Sequence, residues 1–264
     1  MKAIEPAALV ERRGHVLVIT LNRPSAMNAV NAEVSEIVGG ALARAEEDRD
    51  VRAVVLTGAG GRAFSAGADL KAVSRGESLM APGHDEWGFG GYVRHHISKP
   101  TIAAVNGYAL AGGMELVLAS DLAVAGESAT FGLPEVARGL FAAAGGVFRL
   151  PQQIPPKIAM EMIFTGEPIN APRALSLGLV NQVVPDGAVL DSALALAEKI
   201  SGNAPLAVQA GKRLATGLTD DALAAETDAW VRNTEEISRI KDSQDFKEGT
   251  SAFVEKRAPV WRAQ

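Results

Sequence analysis

The chain has 264 residues, 47% of them apolar, a formal net charge of −5 and no cysteine. That length and apolar content suit one large α/β domain with a helical appendage. Interspersed acidic and basic residues argue against a nucleic-acid groove or a polybasic membrane anchor, and the lack of thiols excludes disulfides, thiolate catalysis and zinc–thiolate sites. The opening MKAIEPAALVERRG has no apolar secretory segment, and Asn106, Glu115 and Asp121 interrupt the best apolar run before it reaches the roughly 18–20 residues of a membrane span. These features predict a soluble cytoplasmic protein.

VERRGHVLVITLNRP alternates through Val16, Val18 and Thr20 behind Arg13-Gly14 and predicts a β-hairpin. NAEVSEIVGGALARAEED has helical spacing at Val34, Ile37, Val38, Ala41 and Leu42, with Asn31 as N-cap. RAVVLTG and PTIAAVNG are short, nearly all-apolar strands, each ending in glycine and each followed by a small-residue loop and a helix, the pattern of parallel strands covered on both faces. KAVSRGESLMAPGHDEWGFGGYVRHHISK, between them, reads as a helix start running into a long mobile loop of the kind that shapes pockets. AVAGESATFGLPEV reads as one strand entering a turn, and GLFAAAGGVFRLP as a helix start loosened by Gly145 and Gly146. Beyond Pro155 the pattern is helical, with amphipathic stretches near 188–200, 205–216 and 220–240 and one short strand at LVNQVV. No repeat or low-complexity tract interrupts it.

Three motifs lead nowhere. GAGGRA at 58–63 fits the dinucleotide pattern GxGxxA, yet no helix opens at its second glycine, so it reads as a strand-end turn. His95 and His96 are sequence neighbours that point to different sides, without an HExxH pattern, and no GxSxG elbow singles out a serine nucleophile. More informative is a likeness between two turns, FSAGADL after RAVVLTG and ALAGGMEL after TIAAVNG. Small residues there let a ligand approach backbone N–H groups at a helix start, and Ala68 and Gly112 stand at equivalent places, where two such groups form an oxyanion hole. The plainer explanation is tight strand-to-helix packing.

Glu115 lies in the first turn of its helix, where the dipole favours a carboxylate, but its helical neighbours Leu118 and Ala119 are apolar and desolvate it. Glu135 follows a proline turn in FGLPEV, among apolar residues. Two carboxylates in one apolar pocket hold a proton between them near neutrality, the equipment for adding or removing water. Spacing alone does not show that the two meet, and each taken singly also fits a surface or salt-bridged glutamate.

At LNRPSAMNA, AFSAGADL, KPTIAAVNGYALAGGMEL, ATFGLPE and TGEPINAPRALSLGLVNQVVP the chain resembles the enoyl-CoA hydratase/isomerase (crotonase) family, from about residue 10 to the C-terminus. The resemblance implies an α/β fold of the ClpP/crotonase type, a spiral of ββα units over residues 1–200. A helical region at 201–264 would then serve trimerisation and complete the CoA site, with trimers that commonly pair into hexamers. It implies acyl-CoA thioester substrates, no metal or redox cofactor, and oxyanion-hole N–H groups from Ala68 and Gly112. Glu115 and Glu135 match both catalytic glutamates of the hydratases, which implies syn addition of water across a 2-enoyl-CoA double bond. Lys71 and Lys256 match lysines that meet the CoA phosphates, the latter from a neighbouring subunit. Phe253 matches an aromatic near the adenine and the Ala66 carbonyl matches an adenine contact; Asp69 and Leu70 complete that CoA-binding segment.

Departures from the hydratase pattern are Ser25 in place of lysine, Leu133 in place of a polar residue, GLFAAAGG in place of a glycine-proline turn, and Ala143 where a glycine backbone approaches the thioester. They bear on acyl preference more than on chemistry. RLPQQIPP and FVEKRAPVW are similar to the carnitinyl-CoA dehydratase branch, whose trimethylammonium substrate would want an aromatic or acidic pocket. Trp87, Phe89 and Tyr92 are the aromatics available for it, although packing is the commoner use of such rings. Two further activities fit the same residues: double-bond isomerisation by Glu135 alone, and non-catalytic binding of CoA or RNA by a relative of the same fold.

Overall fold

The computed structural model describes residues 5–219 and 222–264, apart from the side chains of Phe253 and Val254. Strands β1 (Ala8–Arg13) and β2 (Val16–Leu21) pair antiparallel with Arg13 opposite Val16, so Gly14 and His15 alone make the turn. Gly14 takes φ +59°, a conformation such a two-residue turn requires. Helix α1 (Ala32–Glu47) starts where the Asn31 side chain accepts the Val34 N–H at 3.0 Å, as its N-cap position predicts.

A repeating unit follows. Strand β3 (Ala53–Gly58) leads through the short β4 (Ala63–Ser65) to α2 (Leu70–Ser74); β5 (Thr101–Val105) leads through β6 (Tyr108–Leu110) to α3 (Gly112–Leu118); β7 (Leu122–Gly126) leads through β8 (Thr130–Gly132) to a 3-10 turn at Pro134–Arg138. The chain then runs through α4 (Gly146–Gln153), α5 (Pro156–Thr165), β9 (Ile169–Asn170), α6 (Ala171–Ser176) and β10 (Gln182–Val184). A six-stranded sheet has the order β1-β2-β3-β5-β7-β10, parallel from β2 onward, and a four-stranded sheet the order β4-β6-β8-β9. These repeated units and the two larger sheets are the crotonase-type α/β architecture.

The unbroken apolar runs of β3 and β5 have a simple cause: alternate residues enter different cores. Val18, Val55, Ile102 and Val124 pack against Val189, Ala193 and Ala197 of α7 (Val189–Ser201). Ile19, Leu56, Ala103 and Val105 face the larger cluster on the other side, with Val34, Val38 and Leu42 of α1. The C-terminal region continues with α8 (Pro205–Thr216), β11 (Leu218–Thr219), β12 (Ala222–Leu223), α9 (Thr227–Asp242) and α10 (Gln244–Glu255). Among the described residues no helix is long and apolar enough to cross a membrane.

Three expectations change. ATFG is not a continuation of the preceding strand; a turn at 127–129 separates β7 from β8, which lies in the other sheet. The helix read into GLFAAAGG begins only at Gly146, because Gly145 stands at φ +107°. The segment 75–100, expected to be a mobile loop, is packed: Ala81, Phe89, Tyr92, Val93 and Ile97 are buried, and a Cβ on Gly39 of α1 would lie 2.1 Å from the Trp87 ring.

Candidate active site

Because β4, β6 and β8 are adjacent and parallel, the turns that follow them leave the same edge of the small sheet. These turns carry Ala68, Gly112 and Glu135. Val30 bridges the first: its N–H donates to Gly67 O at 2.8 Å, and its carbonyl accepts the Asp69 N–H at 2.9 Å. In such a parallel bridge the middle residue, Ala68, turns its own N–H away from Val30. Gly67, at φ +89°, touches the start of α3, since a Cβ there would lie 2.8 Å from the Gly112 nitrogen. Gly112 opens α3, where an amide has no intrahelical acceptor. Glycine is required at 112 because a Cβ would come within 2.4 Å of the Phe89 ring. The preceding Ala111 is held at φ +52°, a left-handed conformation that costs a non-glycine residue about 1–3 kcal/mol.

Glu115 is 3% exposed. Its Oε1 accepts the Gly146 N–H at 2.8 Å, and the Ala144 backbone amide supports the carboxylate as well. Burial nevertheless pushes its pKa up to about 7, against the pull of those amides and of Arg149. Glu135 is pushed up to about 8, first by burial and then by the charge of Glu115. The charge of one carboxylate thus acts on the other, and the two titrate as a pair. Glu135 Oε2 is buried without a hydrogen-bond partner, an acceptor left open toward whatever enters.

Residues that spacing did not single out surround the loop and the turn that carry this pair. A Cβ on Gly146 would sit 3.0 Å from Glu115 Oε1 and 2.8 Å from Ala142 Cβ, so glycine lets the amide reach the carboxylate. Asn233 Nδ2 of α9 donates to Ala143 O at 2.9 Å, and Arg149, 3% exposed, makes a double hydrogen bond to Glu226, each 2.7 Å. Helix α10 lies on the Glu135 turn, with Gly249 so close that a Cβ would be 2.2 Å from Arg138 O. The Gly145-Gly146 pair was visible in the sequence; Arg149, Glu226 and Asn233 carried no local signal.

Among the CoA candidates, Asp69 is engaged within the chain: Arg23 Nη2 donates to it at 2.7 Å, and its other oxygen caps α2 through the Lys71 and Ala72 N–H groups. Leu70 and Lys71 are exposed on α2, Ala66 is half-buried, and Lys256 is exposed just beyond α10. The side chain of Phe253 lies outside the described residues. Trp87 stacks on His84 and His95 at 3.8 and 4.7 Å, Tyr92 OH pairs with Ser120 Oγ, and Phe89 packs on Gly112, so all three serve packing. A separate cavity of about 810 Å³, beyond the C-terminal end of α3 and lined by His96, Asp121, Gln153 and Lys212, holds neither glutamate.

The model of the enoyl-CoA hydratase/isomerase family matches residues 11–264. The enoyl-CoA hydratase EchA19 of Mycobacterium tuberculosis is 43% identical over 258 residues, 96% of each chain. A carnitinyl-CoA dehydratase of Salmonella typhi is 42% identical over 259 residues, covering 96% of this chain and 97% of that one. The crystal structure of a carnitinyl-CoA hydratase from Mycobacterium avium superposes with a TM-score of 0.98 at 59% identity, covering 99% and 100% of the two chains. With its repeated units and its paired turns, the chain belongs to the enoyl-CoA hydratase/isomerase family.

Proposed function

We propose that the protein is a hydratase that adds water reversibly to the double bond of a 2-enoyl-CoA, giving the 3-hydroxyacyl-CoA. The observation that carries this reading is the buried pair Glu115 and Glu135, pushed up to about 7 and 8 and therefore sharing a proton near neutral pH. One carboxylate takes a proton from a water held between the two as its hydroxyl bonds to C3, and the other gives its proton to C2 on the same face. The pair ends with as many protons as it began with. Between these events the electron pair of the double bond rests on the thioester oxygen, where N–H groups of Ala68 and Gly112 stabilise the enolate.

Lys71 and Lys256 take the CoA phosphates, with Ala66 and Phe253 at the adenine, and Asp69 and Leu70 shape the segment between. Lys256 serves a neighbouring subunit in a homotrimer that pairs into hexamers, and the enzyme works in the cytoplasm without a metal or redox group. The Salmonella relative favours a second reading, dehydration of carnitinyl-CoA. Against it, the faces of Trp87 are stacked, and Trp230 already carries Arg94 and Arg149 at 5.0 and 5.5 Å, so these rings are occupied by other partners.

The test is loss of the conjugated-thioester absorbance of crotonyl-CoA. Turnover by the wild type, with a fall of about 10²–10⁴-fold in each of Glu115→Gln and Glu135→Gln, supports the reading. Unchanged hydration in both variants sinks it, and a shifted double bond with no 3-hydroxy product assigns isomerisation.

A further inference from the structure

Arg149 is a guanidinium without an obvious reason to be where it is. It is buried in α4, one turn beyond the Gly146 whose N–H holds Glu115. Its Nε and Nη2 are taken by Glu226, and Nη2 also donates to Val93 O at 2.7 Å. Nη1 has no partner although it is buried. That atom lies against Gly145, next to the Gly146 whose N–H holds Glu115: a Cβ built on Gly145 would lie 3.2 Å from it. Glu226 comes from the far C-terminal region, immediately before α9, and is itself fixed by the Trp230 Nε1–H at 3.1 Å. Trp230 in turn packs edge-on against Phe148, 4.9 Å between ring centres, and touches the Gly145 position at 3.3 Å. A buried ion pair contributes little net stability compared with apolar residues of the same size, so its presence beside a carboxylate pair calls for another account.

We propose that Arg149, locked in place by Glu226, is a positioning residue that sets how the proton is divided between Glu115 and Glu135. This rests on the reading of that pair as the acid and base. The arginine holds one positive charge at a fixed place behind the Gly145–Gly146 loop and favours the ionised form of Glu115. Glu226 offsets part of that charge and holds the guanidinium in place through its double hydrogen bond. Arg138 on the Glu135 turn is the other charged group acting on the carboxylates, while His96 of the 75–100 segment acts on the Arg149–Glu226 ion pair from the far side.

The geometry makes opposite predictions for two variants. Glu226→Gln leaves the arginine's charge uncompensated, so the pair titrates at lower pH. Arg149→Met combined with Glu226→Gln removes both charges, so it titrates at higher pH; each shift is on the order of half a unit or more. The measurement is a pH titration of ¹³C-glutamate-labelled full-length protein by NMR, with the pair assigned through Glu115→Gln and Glu135→Gln. Arg149→Lys keeps the charge, and its pair titrates close to the wild type even where stability falls. Shifts of the same sign in both variants, or none in either, overturn the proposal, because a merely structural ion pair alters melting without moving the titration in opposed directions. The readout is independent of turnover: opposed shifts in a protein that does not hydrate enoyl-CoA would retain the coupling and discard the hydratase reading.

Discussion

At Glu135 the chemistry proposed for the site has a measurable cost in stability. An ordinary glutamate titrates near 4.5, whereas Glu135 in the folded protein titrates at about 8. Below 4.5 the group is protonated in both folded and unfolded chains and contributes no pH dependence. As pH rises from 4.5 to 8 the unfolded chain releases its proton while the folded one retains it, so stability falls through that window. Glu135→Gln removes the titration, and its stability relative to the wild type should rise by roughly 1–3 kcal/mol between pH 4.5 and pH 8. Urea unfolding at the two pH values checks this, and parallel curves for the two proteins refute it. Gly146→Ala acts on the partner carboxylate: the added methyl meets Glu115 Oε1 at 3.0 Å, so kcat for enoyl-CoA hydration should fall on the order of 10²-fold with KM little changed. A rise in KM alone would place Gly146 in substrate binding instead. The oddity of Glu115 was legible in the sequence, since a carboxylate surrounded by Met114, Leu116, Val117 and Leu118 stands out. Its holder was not, because Gly146 lies 31 residues away and acts through a backbone N–H that every residue type but proline possesses.

Elements were legible in proportion to their length. Helix α1, 16 residues long with Asn31 at its start and an apolar stripe along one side, and the hairpin of β1 and β2 are both written in local pattern. Strands β4, β6 and β8 have three residues each, too few to display alternation, and their pairing is with one another across the fold. Segment 75–100 misleads because its glycines suggest flexibility, whereas several of them permit contact. Gly91 shows this, since a Cβ there would lie 2.0 Å from Ser35 O of α1. The adjacent glycines of α1 provide the test. Gly40→Ala meets only the flexible end of Arg44, at 3.3 Å, and should stabilise by about 0.5–1 kcal/mol through helix propensity. Gly39→Ala drives a methyl into the Trp87 ring and should destabilise by about 1–3 kcal/mol, because the segment must lift from the helix. Thermal melts of the two variants should therefore move in opposite directions, and an equal response would mean that the 75–100 segment yields freely.

At the scale of the whole molecule, the C-terminal helices raise a question that the single chain does not answer. Neither α8 nor α9 has a fully buried residue, although both have an apolar side. Leu206 and Leu214, about two turns apart on α8, are 77% and 87% exposed, and Phe164 of α5 is 73% exposed. Isolated exposed leucines are ordinary, but an amphipathic helix with no fully buried residue has little of the packing that normally sustains it. The proposed homotrimer supplies the missing surface, and it also gives Lys256, exposed beyond α10, a neighbouring site to reach. If so, the purified protein should run by light scattering as a trimer or a multiple of one, with a melting temperature that rises with protein concentration. Leu206→Glu combined with Leu214→Glu should shift it toward monomers. The separated subunits should then show a raised KM for enoyl-CoA, because the Lys256 contact is lost, while the titration of Glu115 and Glu135 is retained, since Arg149, Glu226, Asn233 and α10 all act within one chain. A wild-type monomer would refute the assembly outright. A variant that stays trimeric would move the interface away from α8, and a monomer with unchanged KM would confine the whole CoA site to a single subunit.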